Sequence, residues 1–96
     1  MRVAWRNRAE RDLDDLYDYL IDHDLDAARR IRDAIRRSVD VLRDHPALGR
    51  PGRAGATREL IIAGTHYIVA YTIDRQIDAV VILRVLHGAR RWPDEL

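Results

Sequence analysis

The chain has no cysteine, which excludes a disulfide framework, a thiolate metal site and a thiol nucleophile. It also has no lysine. All 17 basic residues are arginine, so no lysine serves as catalyst or phosphate ligand, and every fixed positive charge is a planar guanidinium suited to bidentate bonding. The opening Met1-Arg2-Val3-Ala4-Trp5-Arg6 lacks the apolar run of a secretory leader, and no apolar stretch reaches membrane-spanning length. A soluble, cytoplasmic protein with no membrane partner is expected. Glycine and proline gather in one segment only, Ala47 to Thr57, which reads as a loop.

Ninety-six residues suit one domain, 1–96, with one modest core. The net charge is only +1, but it is unevenly spread. Residues 1–28 hold four arginines against eight acids, and residues 29–58 hold nine arginines against three acids. Such a bipolar surface suits a partner that is at least partly acidic.

Apolar periodicity sets out the elements. Residues 2–6 read as a short strand. Asn7 followed by Glu10 resembles a capping box, and Ala9, Leu13, Leu16 and Leu20 then recur at helical spacing. Asp12, Asp14, Asp15, Asp18 and Asp22 are expected on a solvated face of that helix. Asp24 is placed to cap a second helix, whose stripe is Ala28, Ile31, Ile35, Val39 and Leu42. His45-Pro46 should end it, because proline disfavours helical geometry in the residue before it. Three strands follow, at about 58–62, 66–73 and 79–87, with joins short enough for antiparallel hairpins. The last, Ala79 to Leu86, is nearly continuous Val, Ile and Leu, as in a central strand covered on both faces. The expected fold class is α+β, a β-α-α-β-β-β chain with a helical hairpin packed on one face of a small antiparallel sheet.

Few residues could carry chemistry. The four histidines, at positions 23, 45, 66 and 87, have no metal-ligand spacing, so no metal and no cofactor is expected. Gly49-Arg50-Pro51-Gly52-Arg53 makes a poor phosphate cradle, since Pro51 lacks an N–H and the segment follows a helix. Metal-free RNA cleavage would need a base, an acid and cations around the transition state. The candidates are Arg58, Tyr67, Tyr71, Arg84, His87 and Arg90. Arg84 and His87 are three residues apart, so an unbroken strand sends them to opposite faces. Arg84 lies inside an apolar strand and needs either an edge position or a buried acidic partner such as Glu59. Tyr67 and Tyr71 share a face and read first as core. At the end of the chain, Arg90, Arg91 and Trp92 have the composition of an interface anchor or a nucleic-acid stacking site. The plainer alternative for Trp92 is docking back onto its own domain.

The run Leu42 to Pro51, together with Thr57-Arg58-Glu59-Leu60, Tyr67 to Tyr71 and Ile82-Leu83-Arg84-Val85-Leu86-His87-Gly88-Ala89-Arg90, resembles the toxins of the ParE/RelE superfamily, which belong to bacterial type II toxin–antitoxin systems. The resemblance spans nearly the whole chain. It implies a small ParD- or RelB-like antitoxin that wraps the toxin in a hetero-oligomer. The superfamily divides by target: ParE-like members poison DNA gyrase, and RelE-like members cut mRNA on the ribosome. RNA-cutting relatives commonly carry an arginine where this chain has Ile68, and they use lysines and a C-terminal tyrosine that are missing here. The resemblance therefore leans to a ParE-like, growth-inhibiting gyrase poison associated with plasmid stabilization, with an RelE-like mRNA endonuclease as the alternative. On that reading Arg58, Arg84, His87, Arg90, Arg91 and Trp92 are expected to grip the target or the antitoxin. Should the chain be a nuclease, Arg58, Arg84, His87 and Arg90 would be its catalytic set.

Overall fold

The computed structural model describes all 96 residues. The elements are β1 (Arg2–Trp5), α1 (Asn7–Ile21), α2 (Leu25–Val41), β2 (Arg50–Pro51), β3 (Arg58–Ile61), β4 (Tyr67–Asp74) and β5 (Ala79–His87). They form one five-stranded sheet in the order β1-β5-β4-β3-β2. The helical hairpin lies on one face, and the α+β class read from the sequence is the class observed.

The two helical stripes meet the alternate residues of the strands. Ala9, Leu13 and Leu16 of α1 and Ile35 and Val39 of α2, followed by Leu42, pack on Leu60, Ile62, Val69, Tyr71, Val80, Ile82 and Val85. Full burial of each large aliphatic side chain contributes roughly 1.5–3 kcal/mol before entropy is charged against it. Asp24 caps α2 as expected, its carboxylate accepting the Ala27 N–H at 3.1 Å.

Several details depart from the sequence reading. The sheet is not wholly antiparallel: β1 pairs with β5 in parallel, Arg2 opposite Ala79 and Trp5 opposite Ile82. These parallel neighbours are the first and last strands of the chain, joined through both helices and β2 to β4, a pairing that hairpin spacing does not reveal. The 47–57 loop contains the two-residue strand β2, a short edge in which Arg50 pairs with Glu59 and Pro51 with Arg58. Asn7 is not a cap. The N-cap is Arg6, without a side-chain bond, because the chain passes directly from β1 into α1 and the Arg6 N–H is held by Ile82 O at 3.0 Å. α2 stops at Val41, before His45-Pro46, and its end unwinds through turns closed by Asp40 and Val41 carbonyls.

The β4–β5 ladder carries one irregularity. Ala70 faces Arg84 but Tyr71 faces Ile82, so Leu83 is an extra residue. From Arg84 to His87 the register is unbroken, and alternation sends those two side chains to opposite faces, as parity required. The cross-strand row Glu59–Ala70–Arg84 lies on the face away from the helices, whereas Leu60–Val69–Val85 lies beneath them.

Candidate functional site

Arg84 is the most constrained of the candidate cations. β1 ends at Trp5, so β5 loses its parallel neighbour after Ile82. α1 then runs past the open edge, and Asp12 takes over the role of the missing strand. Its carboxylate accepts the Val85 backbone N–H at 3.0 Å and is gripped by Arg84 through Nε at 2.7 Å and Nη2 at 3.1 Å. Arg8, one helical turn earlier, stands 3.6 Å away. Asp12 is therefore buried rather than solvated, and Arg84's partner is Asp12 rather than Glu59. Arg84 itself is only 8% exposed, so it stands beneath the surface rather than in it.

Glu59 anchors a second network on the same face. Its carboxylate accepts from Arg50 Nη2 at 3.0 Å and from both the backbone N–H and Nε of Arg53, at 3.0 and 3.1 Å. Burial opposes its ionisation, but these hydrogen bonds and the Arg53 charge outweigh burial and hold its pKa below the ordinary glutamate value. The Arg53 guanidinium in turn lies 3.5 Å from the centre of the Trp92 ring. Trp92 Nε1 donates to His87 O at 3.2 Å. The tryptophan thus docks partly onto its own domain, which was one of the two readings open for it. Arg91, Trp92, Pro93 and Asp94 border a shallow cavity of about 530 Å³ with Arg8, Arg84 and Leu86. Arg91 is exposed there.

Arg58 faces Tyr71 across β3 and β4, and its guanidinium bonds Gly49 O at 2.8 Å. Tyr71 is fully buried; its hydroxyl donates to Pro46 O at 2.7 Å and accepts the Gly49 N–H at 2.8 Å. Burial pushes its pKa up. A Cβ on residue 49 would fall 2.7 Å from the Tyr71 ring, so glycine is what lets the loop close on the sheet.

His87 and Arg90 come together at the far end of the sheet with Tyr67, another of the candidates, and with His66, which the sequence reading did not place in the site. The His87 and His66 rings stack at 5.5 Å, and Tyr67 meets His87 edge-on at 5.6 Å. The link is the Gly88 N–H to His66 O bond of 2.7 Å, which prolongs the β4–β5 pairing one step beyond the strands. The Ala89 N–H donates to His87 Nδ1 at 3.2 Å, so the neutral ring carries its proton on Nε2. Burial raises the Tyr67 pKa, opposed by the charge of Arg90. The four candidate catalytic residues therefore fall into three groups: Arg84 with Asp12, Arg58 with the 47–49 backbone, and His87 with Arg90.

Residues 3–92 match the family described as the ParE toxin of type II toxin–antitoxin systems, parDE. The chain belongs to the ParE toxin family. Among the relatives of this ParE-family toxin, Y4kP of Sinorhizobium fredii is 43% identical over 95 residues, covering 99% of this chain and 96% of that protein. Toxin RelE2 of Caulobacter vibrioides is 33% identical over 89 residues, covering 93% and 97%. A chain from the chromosomal ParDE system of P. aeruginosa superposes with a TM-score of 0.81 over 91% of this chain and 95% of that one; at 22% identity it supports the fold alone. A chain of the RelBE2 toxin–antitoxin complex of Mycobacterium tuberculosis gives a TM-score of 0.64 at 29% identity, covering 90% and 95%. No helix of this ParE-family toxin is long and apolar enough to cross a membrane.

Two residues of these clusters escaped the sequence reading. Asp12 was one acid among several on α1, and only the end of β1 singles it out. His66 lies in a turn, 21 residues before His87, and its role needs the β4–β5 pairing. The signal that could have found it was the hairpin register: pairing Tyr67 with His87 brings His66 beside Gly88.

Proposed function

We propose that this toxin acts by binding a protein, DNA gyrase, in the cytoplasm, and that a ParD-like antitoxin neutralises it in a hetero-oligomeric complex. The observation that carries this reading is the commitment of two candidate catalytic cations to structural work. Arg84 is neutralised by Asp12, and Arg58 is spent on the Gly49 carbonyl. A phosphodiester-cleaving centre would need such cations free around one phosphate, with His87 beside them. Here Arg84 and His87 lie on opposite faces of β5. Ile68, where RNA-cutting relatives commonly carry arginine, is buried opposite Leu86.

The gripping surface on this reading comprises Arg90, Arg91 and Trp92 with the neighbouring His87, while Arg58 stands in a separate group, bonded to Gly49 O. Arg84 supports it from below through Asp12. An antitoxin partner is supported by the match to the ParE toxin of type II toxin–antitoxin systems and by the likeness to a chain of the RelBE2 toxin–antitoxin complex. The test is induced expression without antitoxin. Growth arrest with trapped gyrase–DNA complexes is the expected result, and unchanged growth would contradict a toxin.

A second reading, ribosome-dependent mRNA cleavage, draws on the 33% identity to toxin RelE2 and on the meeting of His87 with Arg90. Primer extension on cellular mRNA during induction separates the two.

A further inference from the structure

The end of the sheet holds a cavity of about 350 Å³, walled by α1, the start of α2, the β3–β4 turn and the end of β5. Four of its lining residues are cationic or can become so: Arg30, His66, His87 and Arg90. No carboxylate lines it. Arg30 and Arg90 take part in none of the ion pairs of the chain. Both are exposed, so they are free to turn toward a ligand. With His87 Nδ1 accepting the Ala89 N–H, the Nε2–H of the neutral ring remains a donor. The stacked His66 ring adds a second imidazole 5.5 Å away. Tyr67 supplies a hydroxyl on the same wall, and the Leu20 and Ile31 side chains give an apolar flank.

We infer that this cavity binds a phosphate monoester. Two guanidiniums and two imidazole donors match the several acceptor oxygens and double charge of a terminal phosphate, and bidentate guanidinium contacts are the usual means of holding one. The charge around the cavity limits the ligand. An adjoining depression shares Tyr19, Tyr67 and Arg90 but adds Asp12 and Asp15. A long polyanion passing through both would meet those carboxylates, whereas a compact dianion at one end would not. The exposed Tyr19 ring, at 56%, stands beside the cavity and offers a face to a planar group attached to the phosphate. The phosphate could come from a free mononucleotide or from the 5′ end of a nucleic-acid strand. The site goes beyond the gyrase reading and does not depend on it.

The experiment uses the purified full chain, with inorganic phosphate, adenosine 5′-monophosphate, and a short oligonucleotide with or without a 5′ phosphate as probes. Histidine side-chain resonances report binding at His66 and His87, and calorimetry reports affinity. Phosphate and the mononucleotide should shift both histidines. Arg30→Gln and Arg90→Gln should each weaken binding about tenfold or more, with unchanged melting temperatures because neither residue is paired. His66→Gln gives a third variant that leaves both arginines in place and should also weaken binding. Tighter binding of the 5′-phosphorylated strand than of the mononucleotide would assign the site to strand ends; the reverse would assign it to free nucleotides. No histidine shift at millimolar phosphate would overturn the inference. So would shifts that persist undiminished in the two arginine variants.

Discussion

Arg84 and Asp12, 72 residues apart in the chain, meet in a bidentate pair at 2.7 and 3.1 Å, and the same carboxylate closes the backbone edge of β5 at Val85. One side chain therefore ties α1 to the central strand where β1 has run out. The pair also withdraws a buried cation from the set that could serve catalysis.

Removing one partner should be costly because the other is left buried and unpaired. Asp12→Ala should lower stability by about 3–5 kcal/mol, a large share of the roughly 5–15 kcal/mol of an average domain. Asp12→Asn keeps an acceptor for the Val85 N–H and should cost less. Urea denaturation of both variants checks this. Equal losses would mean that the Val85 hydrogen bond contributes nothing beyond the charge pairing.

Glu59 gives a pH dependence of known sign. Its folded pKa lies below the ordinary value, so the folded chain binds this proton less readily than the unfolded chain. Its contribution is complete above about pH 4.3, the unfolded value, and is lost as pH falls through the lower folded value. Glu59→Gln should cost about 1–3 kcal/mol at neutral pH. The stability curves of variant and wild type should then converge as the solution is acidified. Parallel curves from pH 7 to 3 would contradict the role given to this carboxylate.

Tyr71 and Gly49 form a packed hinge between the loop and the sheet. Tyr71→Phe leaves the buried Gly49 N–H without its hydroxyl acceptor and should cost about 1–3 kcal/mol. Gly49→Ala drives a methyl to 2.7 Å from the Tyr71 ring and 2.9 Å from Glu59 O, and should be destabilising by a similar amount, about 1–3 kcal/mol. Thermal melts with intact far-ultraviolet spectra would measure both. An unchanged melting temperature for Gly49→Ala would show that the loop can move away from the sheet freely.

The basic end of the chain should matter more for toxicity than for folding. Trp92→Ala loses a cation–π contact and one hydrogen bond, about 1–2 kcal/mol together, and Arg90→Ala should leave stability within about 0.5 kcal/mol. Both should reduce growth inhibition. If thermal melts show both variants unfolded, the residues are structural and the proposed gripping surface fails.

The helices were legible because their stripes recur at helical spacing and only one face of each is apolar. Leu13, Leu16, Ile35 and Val39 are where that pattern puts them. Asp24 was legible because a cap is a local interaction. Asn7 misled for the same reason: its local pattern is that of a cap, but the strand-to-helix entry is set by the bond from Arg6 to Ile82, which is not local. Asp12 shows the wider limit. Nothing along α1 separates it from Asp14 or Asp15; what selects it is the four-residue length of β1, which leaves the β5 edge open. β2 was hidden because its two residues include a proline in a glycine-rich loop. Arg84 was correctly marked as needing an acidic partner, but a parallel pairing and a helix crossing chose Asp12, leaving Glu59 to Arg50 and Arg53.

On the function proposed above, this ParE-family toxin works by holding gyrase rather than by cutting RNA. The decisive measurement is one induction without antitoxin, with gyrase–DNA complexes assayed on the chromosome and mRNA mapped by primer extension in the same culture. Trapped gyrase–DNA complexes, SOS induction and intact transcripts are expected. Codon-linked mRNA cuts with gyrase unaffected would refute the proposed function.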